Sequence, residues 1–382
     1  MLSCVLATVV AVHAASVGLA QTASAKALQL DANAALYYWR AFAILPDLKE
    51  KQQNALDAAL KLKPVEKELG EAALLAEPAL KELYRAASRP ECVWGTPFED
   101  GYAVVMPHLG KARALARAAV GRARWNFYSG KPADGTRDLI ATVALARNVT
   151  ADSTIISLLV GYAIEGLAED VAVVDFDRMS PDELNLFAEK ISRLPPAISM
   201  RDAILKEREL FIDPVIHILS TPGGKENMLK VLDGSGESLN AIRNLSSKQL
   251  LEGVIALRSF YEKLAALCEL PPSEIADAEK QLLANSDLKE PGRAWARLLM
   301  PTIGLAMQAE AKAKLRLALL KAAIAVRQHG PETLANTAYH DPFAKTPFSY
   351  EKSNGGFRLQ SKTLDPKTGR TMTLETGKGF GK

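Results

Sequence analysis

From Lys26 to Gly330, apolar residues recur at three- and four-residue intervals, and strand-like alternation is nearly absent. Asp31 is placed to cap a helix running through Ala34, Ala35, Tyr38 and Phe42 to Leu45, where Pro46 stops it. Two further helical patterns cover about 49–62 and 65–87. Ser180-Pro181-Asp182-Glu183 predicts a helix start, with Ser as the cap, Pro in the first turn and Glu reaching back. Ser199, Ser247 and Ser273 open further amphipathic runs. The breaks fall at Pro195-Pro196, Thr221-Pro222-Gly223-Gly224, Asp233-Gly234-Ser235-Gly236 and Pro271-Pro272.

Leu109, Ala112, Ala116, Ala119, Ala123 and Phe127 form one apolar face rich in small residues. Gly130-Lys131-Pro132 turns the chain, and about 134–147 runs back with Leu139, Val143 and Ala146 inward. Small residues on facing helices permit close packing, as in tetratricopeptide hairpins. No clean repeat period accompanies them, so the expectation is a mainly α fold: an irregular helical array of solenoid-like hairpins. Past Ala344 alanine disappears, and Phe348, Tyr350, Phe357, Leu359, Met372 and Leu374 are strand-like around a Ser353-Asn354-Gly355-Gly356 turn. That predicts a helical body over 26–330 and a small strand-rich element, with a β hairpin, over 331–382.

Residues 1–25 contain no Lys, Arg, Asp or Glu, and their apolar run closes on Ala23-Ser24-Ala25. This reads as a signal peptide cleaved after Ala25, with an uncleaved inner-membrane anchor as the alternative. No later run approaches the ~18–20 apolar residues of a spanning helix. The expected location is periplasmic or secreted. Cys92 and Cys268 remain after cleavage. In an exported chain they either pair or stay as buried thiols.

The 382 residues carry 47 Lys and Arg against 44 Asp and Glu, a net charge of +3 that selects no partner. No nucleophile elbow, zinc-binding helix or phosphate loop is present, and His108, His217, His329 and His340 lack ligand spacing. No cofactor is expected. The loop from Cys92 to Gly101 offers Trp94 for stacking and Glu99 or Asp100 as hydrogen-bond acceptors, or else is an irregular connection pinned by its aromatics. Over 101–133 there are six basic residues and no acid, with Arg113, Arg117 and Arg124 on one helical face. That stripe suits an envelope protein or an anionic envelope polymer, unless Glu165, Glu169 and Asp170 of a neighbouring helix neutralise it. Export argues against nucleic acid.

The Asn-Ala-Ala-Leu-Tyr-Tyr-Trp-Arg start at Asn33–Arg40, with the Cys-x-Trp-Gly loop at Cys92–Gly95, resembles uncharacterised exported bacterial helical proteins. Leu315–Gln328, Asp341-Pro342-Phe343, Pro347–Tyr350 and Gly356–Ser361 resemble the tail of type II secretion pseudopilins. The chain lacks the pseudopilin methylation motif and hydrophobic spine. That second resemblance implies a calcium loop to which Asp365 and Ser361 contribute; the other reading has Asp341 and Asp365 starting turns before prolines.

The function expected from these features is an exported envelope interaction or scaffold protein without catalytic activity. The alternatives are an envelope hydrolase using carboxylates gathered by the fold, and a secretion-apparatus accessory. Intact mass of the native protein checks the first step: the mature chain should begin at Lys26, and a soluble species retaining Met1 contradicts cleavage.

Overall fold

The computed structural model describes residues 31–99, 104–231, 242–353, 355–365 and 368–377. The proposed signal segment, Asp100 and the 233–236 linker lie outside them. Helix α1 (Ala34–Ile44) starts two residues later than Asp31 suggests, because Asn33 caps it by accepting from the Ala35 amide at 3.0 Å. Asp31 instead takes the Tyr37 hydroxyl and the Arg89 guanidinium. Helices α2 (Glu50–Leu60) and α3 (Lys67–Ala87) follow at the expected places.

The small-residue face then builds the centre of the molecule. Helix α4 (Pro107–Tyr128) turns at Gly130, whose φ of +74° suits the left-handed region, into α5 (Pro132–Val149). Ala112, Ala116, Ala119 and Ala123 are all fully buried. The pair also buries charge: Asp138 receives Arg122 Nε at 3.0 Å, Asn126 Nδ2 at 3.1 Å and the Tyr84 hydroxyl of α3 at 2.5 Å. Burial raises the Asp138 pKa, and these donors pull it back only in part.

Helix α6 (Ile155–Val174) packs on α5, and α7 (Pro181–Arg193) carries the expected capping box between Ser180 and Glu183. Then come α8 (Met200–Glu207), a π turn at Arg208–Ile212, α9 (Asp213–Leu219) and α10 (Gly224–Val231). Helix α11 (Ser247–Ala266) is capped by Ser246 rather than Ser247, since Gln249 three residues on closes the box. After α12 (Pro272–Ala284), α13 (Glu290–His329) continues for 40 residues, about 60 Å at 1.5 Å per residue. Its first half joins a core of Trp295, Ile303 and Met307 with α8, α9 and α11. Its second half, through Leu315, Leu319 and Ile324, joins a core shared with α4–α7. Among the described residues no helix is long and apolar enough to cross a membrane.

The expected hairpin forms from β1 (Ser349–Ser353) and β2 (Gly356–Leu364), with β3 (Thr371–Glu375) on the far side of β2. All pairing is antiparallel, setting Tyr350 opposite Leu359 and Leu359 opposite Leu374. Along β2 burial alternates, with Phe357 and Leu359 entering the core that α13 shares with α6. The strand-rich element is thus packed into the helical body.

Cys92 and Cys268 are both free. The pairing considered from compartment and count does not form, because each thiol belongs to a different core: Cys92 beside α1 and α3, Cys268 beside α11. Burial pushes each thiol up to about 12.

The Asp138 network gives a stability test. Asp138→Ala leaves Arg122 buried without its partner, which costs about 3–5 kcal/mol in such cases. Urea unfolding should show a loss of that size, whereas a loss near that of a surface substitution would mean the network is not holding α3, α4 and α5 together.

Candidate binding groove

Helix α4 presents one side to the α5 hairpin and another to α1–α3, and a cavity of about 540 Å³ opens on the second side. Its floor is apolar: Phe42 and Leu45 from α1 and the turn after it, Leu56 from α2, and Leu69, Ala72 and Ala76 from α3. Small residues of α4 keep it open. Gly121 is one, since a Cβ there would collide with Leu56. The rim is basic, formed by Lys111, Arg113, Arg117 and Arg122, with Asp47 as its acid.

These four cations are not equivalent. Arg117 pairs with Asp57 of α2, and Arg122 with Asp138. Lys111 and Arg113 are exposed and meet no ion-pair or hydrogen-bond partner among the described residues. The expected basic stripe therefore divides. Arg113 and Arg117 reach the groove, whereas Arg124 is buried, ion-paired to Asp175 at 3.1 Å and near the carbonyls of Ala59 and Lys63. The expected neutralisers lie elsewhere: Glu165 holds Arg147 of α5, while Glu169 and Asp170 hold Arg316 of α13. Sequence reasoning missed the floor entirely, because its residues come from three helices whose apolar faces look like ordinary core.

Trp94 is not available for a ligand. It is buried, donates from Nε1 to the Asn148 carbonyl at 2.8 Å, and stacks on His108 with ring centroids 4.5 Å apart. His108 in turn lies 3.2 Å from Asp152, which also accepts the Thr96 hydroxyl at 2.6 Å. The loop is pinned by its aromatics. Glu99 is exposed and apart from this cluster's hydrogen bonds, and Asp100 lies outside the described residues.

Ser361 and Asp365 do not form one cage. The Ser361 hydroxyl donates to Asp341 at 2.6 Å, and Asp341 also accepts the amides of Phe343 and Ala344 at 2.9 and 3.0 Å. Burial works to raise the Asp341 pKa, but the hydrogen bonds outweigh it and hold the carboxyl below its ordinary value. Asp365 accepts the Thr368 amide at 2.9 Å and pairs with Lys312 at 2.8 Å. Both aspartates start turns before prolines, as the other reading has it. Among the described residues, no group of three or more His, Cys, Asp and Glu is arranged to hold a metal ion. No family model matches the chain, and no curated protein or solved structure shows significant similarity to it.

The buried acids of α6 make stability pH-dependent. Burial, the largest cause, pushes Glu169 from 4.5 up to about 8, although Arg316 beside it favours the charged form. Between about 4.5 and about 8 the folded chain holds this proton and the unfolded chain has released it. The contribution to stability is therefore full below 4.5 and is lost as pH rises through about 8. Glu169→Gln cannot titrate, so its urea midpoint should fall less than the native protein's between pH 5 and pH 8. Equal slopes would place the ionisation elsewhere.

Proposed function

We propose that this is an exported interaction protein of the cell envelope that seats an acidic, amphipathic segment of a partner protein in the α1–α4 groove. The observation carrying this reading is the pairing of an apolar floor with two rim cations, Lys111 and Arg113, that have no partner within the described chain. An apolar floor rewards burial of apolar side chains, and unpaired rim cations favour an acidic face and speed its encounter. The groove fits the helix-in-groove mode, in which a partner's apolar side chains fill the floor. The uncharged N-terminal run ending at Ala25 supports delivery to the envelope.

The hydrolase alternative has less support. It needs two carboxylates open to one substrate, and Glu165, Glu169 and Glu310 are each engaged by a cation: Arg147, Arg316 and Lys314 respectively. The accessory reading draws on the tail, where Asp341 and Asp365 are occupied in turns.

A photo-crosslinking residue at Ala114, inside the groove, should give discrete protein adducts in intact cells. The same residue at the distant, exposed Ile255 of α11 should not. Lys111→Glu with Arg113→Glu should abolish the Ala114 adducts while leaving the melting temperature nearly unchanged, because exposed substitutions cost little. The double variant should also bind a synthetic Glu/Leu amphipathic peptide at least tenfold more weakly than the native protein. Adducts that survive charge reversal, or peptide binding that ignores it, overturn the reading.

A further inference from the structure

A second cavity, of about 390 Å³, lies away from the groove, between α5, α6, the 194–199 connection and α13. Its volume is within the ~300–1,000 Å³ range of small-molecule sites. Two ion pairs line it side by side: Arg147 with Glu165, and Lys314 with Glu310 at 3.1 Å. Glu310 is further fixed through Oε1, which accepts the Met200 amide at 2.8 Å and the Tyr162 hydroxyl at 3.3 Å. Desolvating an ion pair costs several kcal/mol per ion, and apolar packing in its place is often more stable. Stability alone therefore gives poor reason for the buried Arg147–Glu165 pair beside an open cavity.

The charge pattern narrows what fits. Glu165 uses Oε1 for Arg147, and its other oxygen makes no hydrogen bond among the described residues. Lys321, which also lines the cavity, is exposed and makes no ion pair among the described residues, although its field is felt at Glu165. An anion alone would face two carboxylates here, and a cation alone would face Arg147, Lys314 and Lys321. A molecule with both charges satisfies both sets. The remaining wall is aliphatic, from Ile191, Leu194, Ile198 and Leu317, with Pro195 and Pro196 as a stiff lip.

We propose that this cavity binds a small zwitterion with an aliphatic body, an aliphatic α-amino acid, with its ammonium on the second Glu165 oxygen and its carboxylate on Lys321. Charge-assisted hydrogen bonds at both ends would orient the ligand, and the aliphatic wall would take its side chain.

Calorimetric titration of the mature protein with leucine, isoleucine and valine tests this. At least one should bind saturably. For leucine, 4-methylpentanoate lacks the ammonium and leucinamide lacks the carboxylate, so each should bind at least tenfold more weakly. Lys321→Met, a change at an exposed position, should weaken leucine severalfold and leave leucinamide unaffected. No saturable binding of the three amino acids overturns the proposal. So does 4-methylpentanoate or leucinamide binding as tightly as leucine, or a Lys321→Met variant that binds leucine normally. The groove variant Lys111→Glu/Arg113→Glu should bind leucine as the native protein does, which separates this site from the proposed function.

Discussion

The whole arrangement hangs on how Arg316 holds α13 against α6. Its guanidinium donates to the Gly166 carbonyl and to Asp170, both at 2.7 Å, and lies 3.2 Å from Glu169. The contact needs a close approach: a Cβ at Gly166 would come within 3.1 Å of the guanidinium. Helix α13 spans two separate cores, so fixing it at this point sets both. The sheet packs on the same helix and is positioned with it. The cost appears in the acids, since Glu169 and Asp170 are both pushed upward by burial despite the arginine between them. A charge-bearing seam of this kind fixes register along α13 more sharply than apolar packing does, because a one-residue slip would strand buried charge.

Close packing by small residues works on the other side of α6. The alanines of α4 bring it near α5, and the same thin helix leaves open space where it faces α1–α3. The groove depends on a different set of α4 residues: Gly110, Ala114, Ala118 and Gly121 leave space between the long side chains of Lys111, Arg113, Arg117 and Arg122. Large residues of α2 and α3 approach from below, and Leu56 comes to rest over Gly121. Filling the gap at Gly121 would drive a side chain into Leu56.

Much of this was legible locally. The Ser180 capping box, the hairpin at Gly130 and the pairing of Ser353 with Gly356 stand where residue chemistry puts them, because each is decided within a few residues. The small-residue face of α4 was equally readable, since periodicity alone reports it. What escaped was long-range pairing. Arg316 and Gly166 are 150 residues apart, and no local pattern announces that α13 returns to α6. For the same reason sequence could not say which arginines Glu165, Glu169 and Asp170 meet, nor choose between a ligand and a packing role for Trp94, whose partner Asn148 is 54 residues away. The thiols stayed undecided for a related reason: compartment and even count say what is permitted, and only packing says what is near.

The basic stripe of α4 shows how a fold turns a uniform sequence signal into distinct roles. Every arginine in it has the same charge, and helical spacing cannot rank them. Burial does. Arg124 sinks to meet Asp175, and Arg122 meets Asp138, so their charges are consumed in holding helices together. Arg117 is held at the groove edge by Asp57. Only Lys111 and Arg113 keep charge that the described chain does not answer, and they keep it beside apolar surface. An exposed cation over a polar surface is well solvated and selects little. Beside an apolar floor, the same cation favours a partner that is acidic on one face and apolar on the other, because only such a partner answers both surfaces at once.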